Sequence, residues 1–201
     1  MATAAALATD GVTDTRQRLI DVAVDLFTRH SFAGTSLQMI ADELGFTKAA
    51  IYHHFRTREQ LLDAVVEPIL ERLRVIIGEA EELRGVHARA DHMLTGFAAL
   101  AVENRVVAVL AADPAVSEML RSRRVWDELI DRQMALLADV EGGPAGMVKA
   151  AVVLAGISGA SGPNFAGIER ADLHRYLVET GRRALGLRAP RSSRTTASEE
   201  S

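Results

Sequence analysis

Residues 34–62, GTSLQMIADELGFTKAAIYHHFRTREQLL, carry two short helical patterns that meet at a glycine. Thr35 and Ser36 offer hydroxyls to cap the first, and Leu37, Ile40, Ala41 and Leu44 follow at the three-and-four spacing of one buried face. Gly45 ends it, as the residue type that takes a left-handed backbone without steric cost, and Phe46 plugs the corner from inside. Thr47 caps a second helix of barely two turns, Lys48 to Phe55, with Ile51 and Phe55 inward and a basic, aromatic set outward. Two helices joined by such a turn form a helix-turn-helix, and a short second helix of this character suits a DNA major groove. A structural helical hairpin would share the glycine corner. Tyr52, His53 and His54 favour the groove, because groups placed outward on so short a helix gain little from packing.

The matching positions extend in both directions: Ile20, Ala23 and Leu26-Phe27 in a preceding helix, then Phe32, Thr35-Ser36, Ile40-Ala41 and Gly45. They continue through Thr47-Lys48, Ile51-Tyr52, His54-Phe55 and the Arg58-Glu59-x-Leu61-Leu62 start of a fourth helix. At this spacing the stretch from about Thr15 to Leu70 resembles the DNA-binding domain of the TetR family of bacterial transcriptional regulators. The resemblance implies an all-α chain of about nine helices: an N-terminal three-helix helix-turn-helix domain, then a helical ligand-binding and dimerisation domain. The expected organisation is a flexible leader over 1–13, the reader over 14–60, the helical domain over 61–186 and a disordered tail over 187–201.

Roles follow by similarity and chemistry together. Thr35 and Ser36 would cap the second helix and present hydroxyl and N–H groups to a phosphate, where the helix dipole favours an anion. Gln38 lies one turn further, within reach of a base edge. Thr47 caps the reading helix, Lys48 suits guanine O6 and N7, and Ala49 suits a thymine methyl. Tyr52 and His53 are assigned to phosphate or sugar, Arg58 to a phosphate clamp, and His54 to packing inside the domain.

Composition sets the outer bounds. The chain has 201 residues, 48% of them hydrophobic, ample for a core. It has no cysteine, which rules out disulfides and thiolate metal sites and fits a reducing, cytoplasmic location. No positive region precedes an apolar core at the N-terminus, so no signal peptide is expected, and no apolar run is expected to span a membrane. The net charge of −4 does not oppose DNA binding, since the local field matters. Between Gly45 and Arg58 the charged residues are Lys48, Arg56 and Arg58, without an acid.

Beyond Arg58 the pattern is helical throughout. Leu62, Val65, Val66, Ile69, Leu73, Ile76, Ile77 and Ala80 form one long stripe, interrupted by Pro68, where a kink is expected. A central helix spans about Val86 to Glu103, a short one Arg105 to Ala112, and one from Pro114 to about Val140. Pro144 opens a small-residue helix, and a last one covers about Arg170 to Leu185. The resemblance places these last two at a homodimer interface, through Val148, Ala151, Val152, Ala155, Gly159, Leu173, Tyr176, Leu177 and Thr180. It also implies a small, largely apolar effector of unidentified structure. Candidate lining is Met93, Phe97, Leu100, Asn104, Leu110, Arg123, Trp126 and Met134, though methionines and aromatics serve equally as solid core.

The expected function is a sequence-specific repressor, dimeric on a palindromic or near-palindromic operator and released by its ligand. A ligand-independent activator or co-regulator would use the same reader. A helical enzyme is the remote alternative: the histidines show no metal-ligand spacing and no serine sits in a nucleophile elbow, so no catalytic residue, metal or cofactor is assigned.

Overall fold

The computed structural model describes residues 3–106, 110, 113–122 and 124–187, with only the backbone of 3–13 and of 163. Among these residues there are nine α-helices and no strand. The first, α1 (Thr3–Gly34), is helical from Thr3. The physical reason lies in Ala4-Ala5-Ala6-Leu7-Ala8, the strongest helix formers without a breaker among them. The helix is interrupted at Ser31, whose φ of 63° and ψ of 168° turn the chain before Phe32.

Leu19, Ile20, Ala23, Leu26 and Phe27 of α1 form the floor of the N-terminal core, and the Phe27 and Phe32 rings meet edge to face at 5.4 Å. On this floor sit α2 (Leu37–Glu43) and α3 (Lys48–His54). The next helix, α4 (Arg58–Glu82), belongs to both halves of the molecule. It buries Leu61, Leu62, Val65 and Val66 near the reader and Leu70, Leu73, Ile76, Ile77 and Ala80 in the larger core. Pro68 lies exposed on it, and the helix runs on through that residue unbroken.

The C-terminal half is built around α5 (Val86–Glu103), packed against α4, α7 and α9. A Cβ on Gly96 would stand 2.6 Å from Ile76 Cγ2, so α4 and α5 approach closely because that residue has no side chain. The single helix expected from Pro114 to Val140 is two: α6 (Pro114–Arg121) and α7 (Arg124–Ala138). Ser122 ends α6, its hydroxyl donating to the Met119 carbonyl at 2.7 Å, a local bond that competes with the helical ladder. Val106 and Leu110 are helical within the short segment expected from Arg105 to Ala112, the rest of which lies largely outside the described residues.

The last two helices are α8 (Gly143–Ala160) and α9 (Arg170–Leu185). Cross-links fix this half: Arg182 grips Asp91 with two bonds of 2.6 and 2.9 Å, tying α9 to α5. Arg132 grips Glu81 with 2.9 and 2.6 Å bonds, tying α7 to α4 and holding the Glu81 carboxyl below its ordinary range. Leu187 stays with the folded body, its N–H donating to the Arg182 carbonyl at 2.8 Å beyond the left-handed Gly186. Of the tail expected over 187–201, residues 188–201 lie outside the described residues.

One helix, α8, is long and apolar enough to cross a membrane by length and composition, contrary to the expectation that no run would be. Its small residues raise its hydropathy. It packs through Gly146, Ala150, Val153 and Ile157 against its neighbours while its other face stays exposed.

Candidate nucleic-acid interface and the cavity behind it

Each helix of the reader is capped as its sequence asks. Ser36 Oγ accepts the Met39 N–H at 3.1 Å, and Thr47 Oγ1 accepts that of Ala50 at 3.3 Å. Between them, Phe46 N–H reaches the Ala41 carbonyl at 2.8 Å and Gly45 N–H that of Asp42 at 3.1 Å. This paired closure depends on Gly45 standing at a φ of 66°. Thr57 caps α4 through the Gln60 N–H at 3.2 Å while Gln60 Oε1 accepts the Arg56 N–H at 2.9 Å.

The caps leave α3 standing on its core by Ile51 alone, with Lys48, Ala49, Tyr52 and His53 exposed. Ser36, Gln38 and Thr47 are exposed beside them, Gln38 Nε2 donating to Asp42 at 2.7 Å. Lys48 Nζ lies 5.7 Å over the Tyr52 ring, which preorders both side chains. Two basic residues that sequence spacing did not bring here join from α1. The Arg16 guanidinium sits 5.1 Å over Phe55 and that of Arg18 5.4 Å over Phe46, the residues flanking α3. Both cations are exposed, so the basic rim holds Lys48, Arg56, Arg16 and Arg18. Only the fold shows it, because the partners are tens of residues apart.

Thr35 and Arg58 do not lie where the sequence put them. Thr35 is 1% exposed and its hydroxyl faces the Leu26 carbonyl at 3.2 Å and the Ser31 carbonyl at 2.8 Å, so its job is to pin the end of α1. Arg58 Nη1 donates to the carbonyls of Phe32, Ala33 and Thr35 at 3.2, 3.1 and 3.0 Å, with its guanidinium 5.0 Å over the Phe32 ring. Through Nη1 the guanidinium staples α4 to the α1–α2 turn. His54 is half-buried, edge to face with His53 at 5.4 Å. Burial first, then the charges of His53 and Arg16, push its pKa below the ordinary histidine value.

Behind the reader, α4, α5, α7 and α8 line most of an apolar cavity of about 240 Å³. Phe97, Leu100, Leu110, Trp126 and Met134 stand in its wall, as does Gln133 from α7, which periodicity did not single out. Met93 is fully buried in the core and is not among the residues of the wall. Asn104 lines a separate polar cleft between α1 and α4, its Nδ2 bonded to the Leu100 carbonyl at 2.9 Å. Arg123 lies outside the described residues.

On the far side, α8 presents a small apolar face: Val148 and Val152 are each 63% exposed, with Met147, Ala151, Ala155 and Gly159 beside them. Tyr176 and Thr180 of α9 are exposed and Leu177 half-buried. Leu173 instead turns into its own chain's core at 3% exposure, because it sits on the stripe of Leu173, Val178, Gly181 and Leu185 that faces α5.

A two-turn exposed helix behind a glycine corner, seated on an all-helical body with an apolar cavity, forms a helix-turn-helix. Residues 19–65 match the family described as bacterial regulatory proteins, tetR family. The transcriptional repressor KstR2 of Rhodococcus jostii is 32% identical over 65 residues, 32% of each chain. The transcriptional regulator UidR of Escherichia coli K12 is 25% identical over 119 residues, 55% of this chain and 59% of that one. The chain thus spans about a third of KstR2 and under two thirds of UidR. Among solved structures, a TetR-family regulator of Streptomyces coelicolor A3 superposes with a TM-score of 0.67 at 20% identity, over 86% of this chain and 91% of that one. The TetR-family regulator PfmR of Thermus thermophilus gives 0.66 at 19%, over 87% and 97%. Residues 19–65 thus match the DNA-binding domain model of the tetR family, and the described residues share the all-α fold of the solved TetR-family structures.

Proposed function

We propose that this protein is a cytoplasmic, homodimeric repressor that binds a palindromic or near-palindromic operator and lets go when a small, largely apolar ligand enters its cavity. The observation carrying the reading is α4, which ends in the reader through the Arg58 staple and forms a cavity wall through Val66, Ile69, Leu70 and Leu73. A ligand that moves the wall thereby acts on the element that seats α3. Ser36, Gln38, Thr47, Lys48, Ala49, Tyr52 and His53 are the contact set, joined by Arg56, Arg16 and Arg18. Thr35 and Arg58 hold the frame. Repression follows the name of KstR2, which is 32% identical over 65 residues.

Dimerisation is inferred from the exposed α8 face with Tyr176 and Thr180 of α9, since two readers must sit roughly 34–36 Å apart to meet successive grooves. Release by 100-fold requires a coupling of about 2.7 kcal/mol, within the ordinary allosteric range. Footprinting on DNA flanking the protein's own gene tests the reading. Two protected half-sites one turn apart are expected, with transcripts of the adjoining genes rising on deletion. A fall in those transcripts would reject repression; absence of any footprint would reject the operator.

A further inference from the structure

Gln133 is 1% exposed, stands in the cavity wall, and its Nε2 has no hydrogen-bond partner among the described residues. A buried amide donor left unpaired costs stability, so a folded chain retains one where something else completes it. The wall around it is hydrocarbon and ring, with Phe97, Trp126 and Met134 the bulkiest members. Its other polar side chains are two serines of α8 and the loop after it: Ser161 Oγ already donates to the Ile157 carbonyl at 2.8 Å, and Ser158 is half-buried. No Asp, Glu, Lys, Arg or His lines the cavity among the described residues. A charged ligand would enter without a counter-ion, at a desolvation cost nothing here offsets.

Size narrows the class further. A cavity of about 150 Å³ holds benzene, and this one of about 240 Å³ takes a ring with a substituent. We propose that the cavity takes an uncharged ring compound bearing one carbonyl, whose oxygen accepts a hydrogen bond from Gln133 Nε2. This names the chemical class of the effector and rests on the ligand-release reading above. Carboxylates and ammonium compounds are excluded; a pure hydrocarbon fits the walls and leaves the amide unpaired.

Titration calorimetry of the full chain with acetophenone, isopropylbenzene and benzoate tests this, with the sole tryptophan, Trp126, as a second reporter from within the wall. Acetophenone should bind at least about tenfold more tightly than isopropylbenzene, a difference of about 1.4 kcal/mol, and benzoate should not bind measurably. In Gln133→Leu, which keeps the volume and removes the donor, the two neutral probes should become equal while isopropylbenzene is retained. Equal binding of ketone and hydrocarbon to the unaltered protein overturns the proposal, as does benzoate binding like the ketone, or failure of both neutral probes. Should Gln133→Leu not fold, the three-probe comparison on the unaltered protein decides alone. None of these arms contains DNA. A ketone that binds yet leaves operator affinity unchanged sinks ligand release and spares the site, whereas an operator freed by a compound of another class sinks the site's assignment alone.

Discussion

Asp113 joins the two halves of the molecule to each other through Phe32. Its Oδ2 accepts the buried Phe32 N–H at 3.2 Å, across 81 residues of chain, while Oδ1 caps α6 by accepting the Ala115 N–H at 2.9 Å. The carboxylate is 8% exposed, so the bond is shielded from water. Phe32 is also the residue whose carbonyl and ring Arg58 holds. Asp113→Ala should therefore cost about 2–3 kcal/mol, cap and buried donor together. Asp113→Ser, which can keep the cap but not the span to Phe32, should lose less stability yet weaken the effect of ligand on DNA binding. Denaturant midpoints and operator titrations with and without ligand measure the two; equal coupling in Asp113→Ser and the unaltered protein would remove the bond from the relay.

Arg58 and Lys48 should separate by what they break. Arg58→Ala strips three carbonyls of their donor and should lower the thermal midpoint and DNA affinity together, with a stability loss of about 2 kcal/mol. Lys48→Ala lies on an exposed face and should leave the midpoint unchanged while weakening DNA binding and relaxing base preference. Calorimetric melting beside binding to operator and scrambled DNA gives both readings. An unchanged melt for Arg58→Ala would restore it as a plain phosphate contact.

Ser31 occupies backbone territory that glycine alone enters freely, at φ 63° and ψ 168°. Ser31→Gly should raise stability by about 1 kcal/mol, the relief of strain exceeding the added freedom of the unfolded chain. The Ser31 hydroxyl also accepts the Gly34 N–H at 3.3 Å, a long bond whose loss offsets part of the gain. A lower urea midpoint for the glycine variant would show that this bond outweighs the strain.

His54 should make the stability of the reader depend on pH. Its pKa is lowered in the folded state, mainly by burial, so near pH 6.5 the unfolded chain binds more protons than the folded one. Stability then rises with pH through that window and is lost as pH falls below the unfolded value. His54→Asn should flatten the dependence between about pH 7.5 and about pH 5.5. If the slope of urea midpoint against pH is the same in both proteins, His54 is not its source.

The exposed face of α8 should carry the dimer. Val152→Glu puts a carboxylate where 63% of the side chain already meets solvent, so the protomer should fold as before. Across an apolar interface the same charge is unpaired, and the protein should sediment as a monomer with operator affinity down at least about 100-fold. A dimer that persists in Val152→Glu would place the interface elsewhere.

The sequence by itself determined what is local. Helix periodicity, the hydroxyls at Ser36 and Thr47 and the glycine at 45 depend on neighbours within a turn or two, and each stands where the pattern put it. So do the bounds of α5 and α9. What only the tertiary structure decided depends on which distant groups meet. Thr35 and Arg58 read as surface residues beside a DNA reader until the carbonyls of the α1–α2 turn are found against them. Arg16 and Arg18 stand far from the reading helix along the chain until Phe55 and Phe46 draw them to it. Gln133 is one polar residue on an amphipathic helix until the cavity places its amide among hydrocarbon. The physical reason is the same in each case: a hydrogen bond or ring contact acts over a few ångströms, and chain spacing gives that proximity only within a helix, while between helices packing alone creates it.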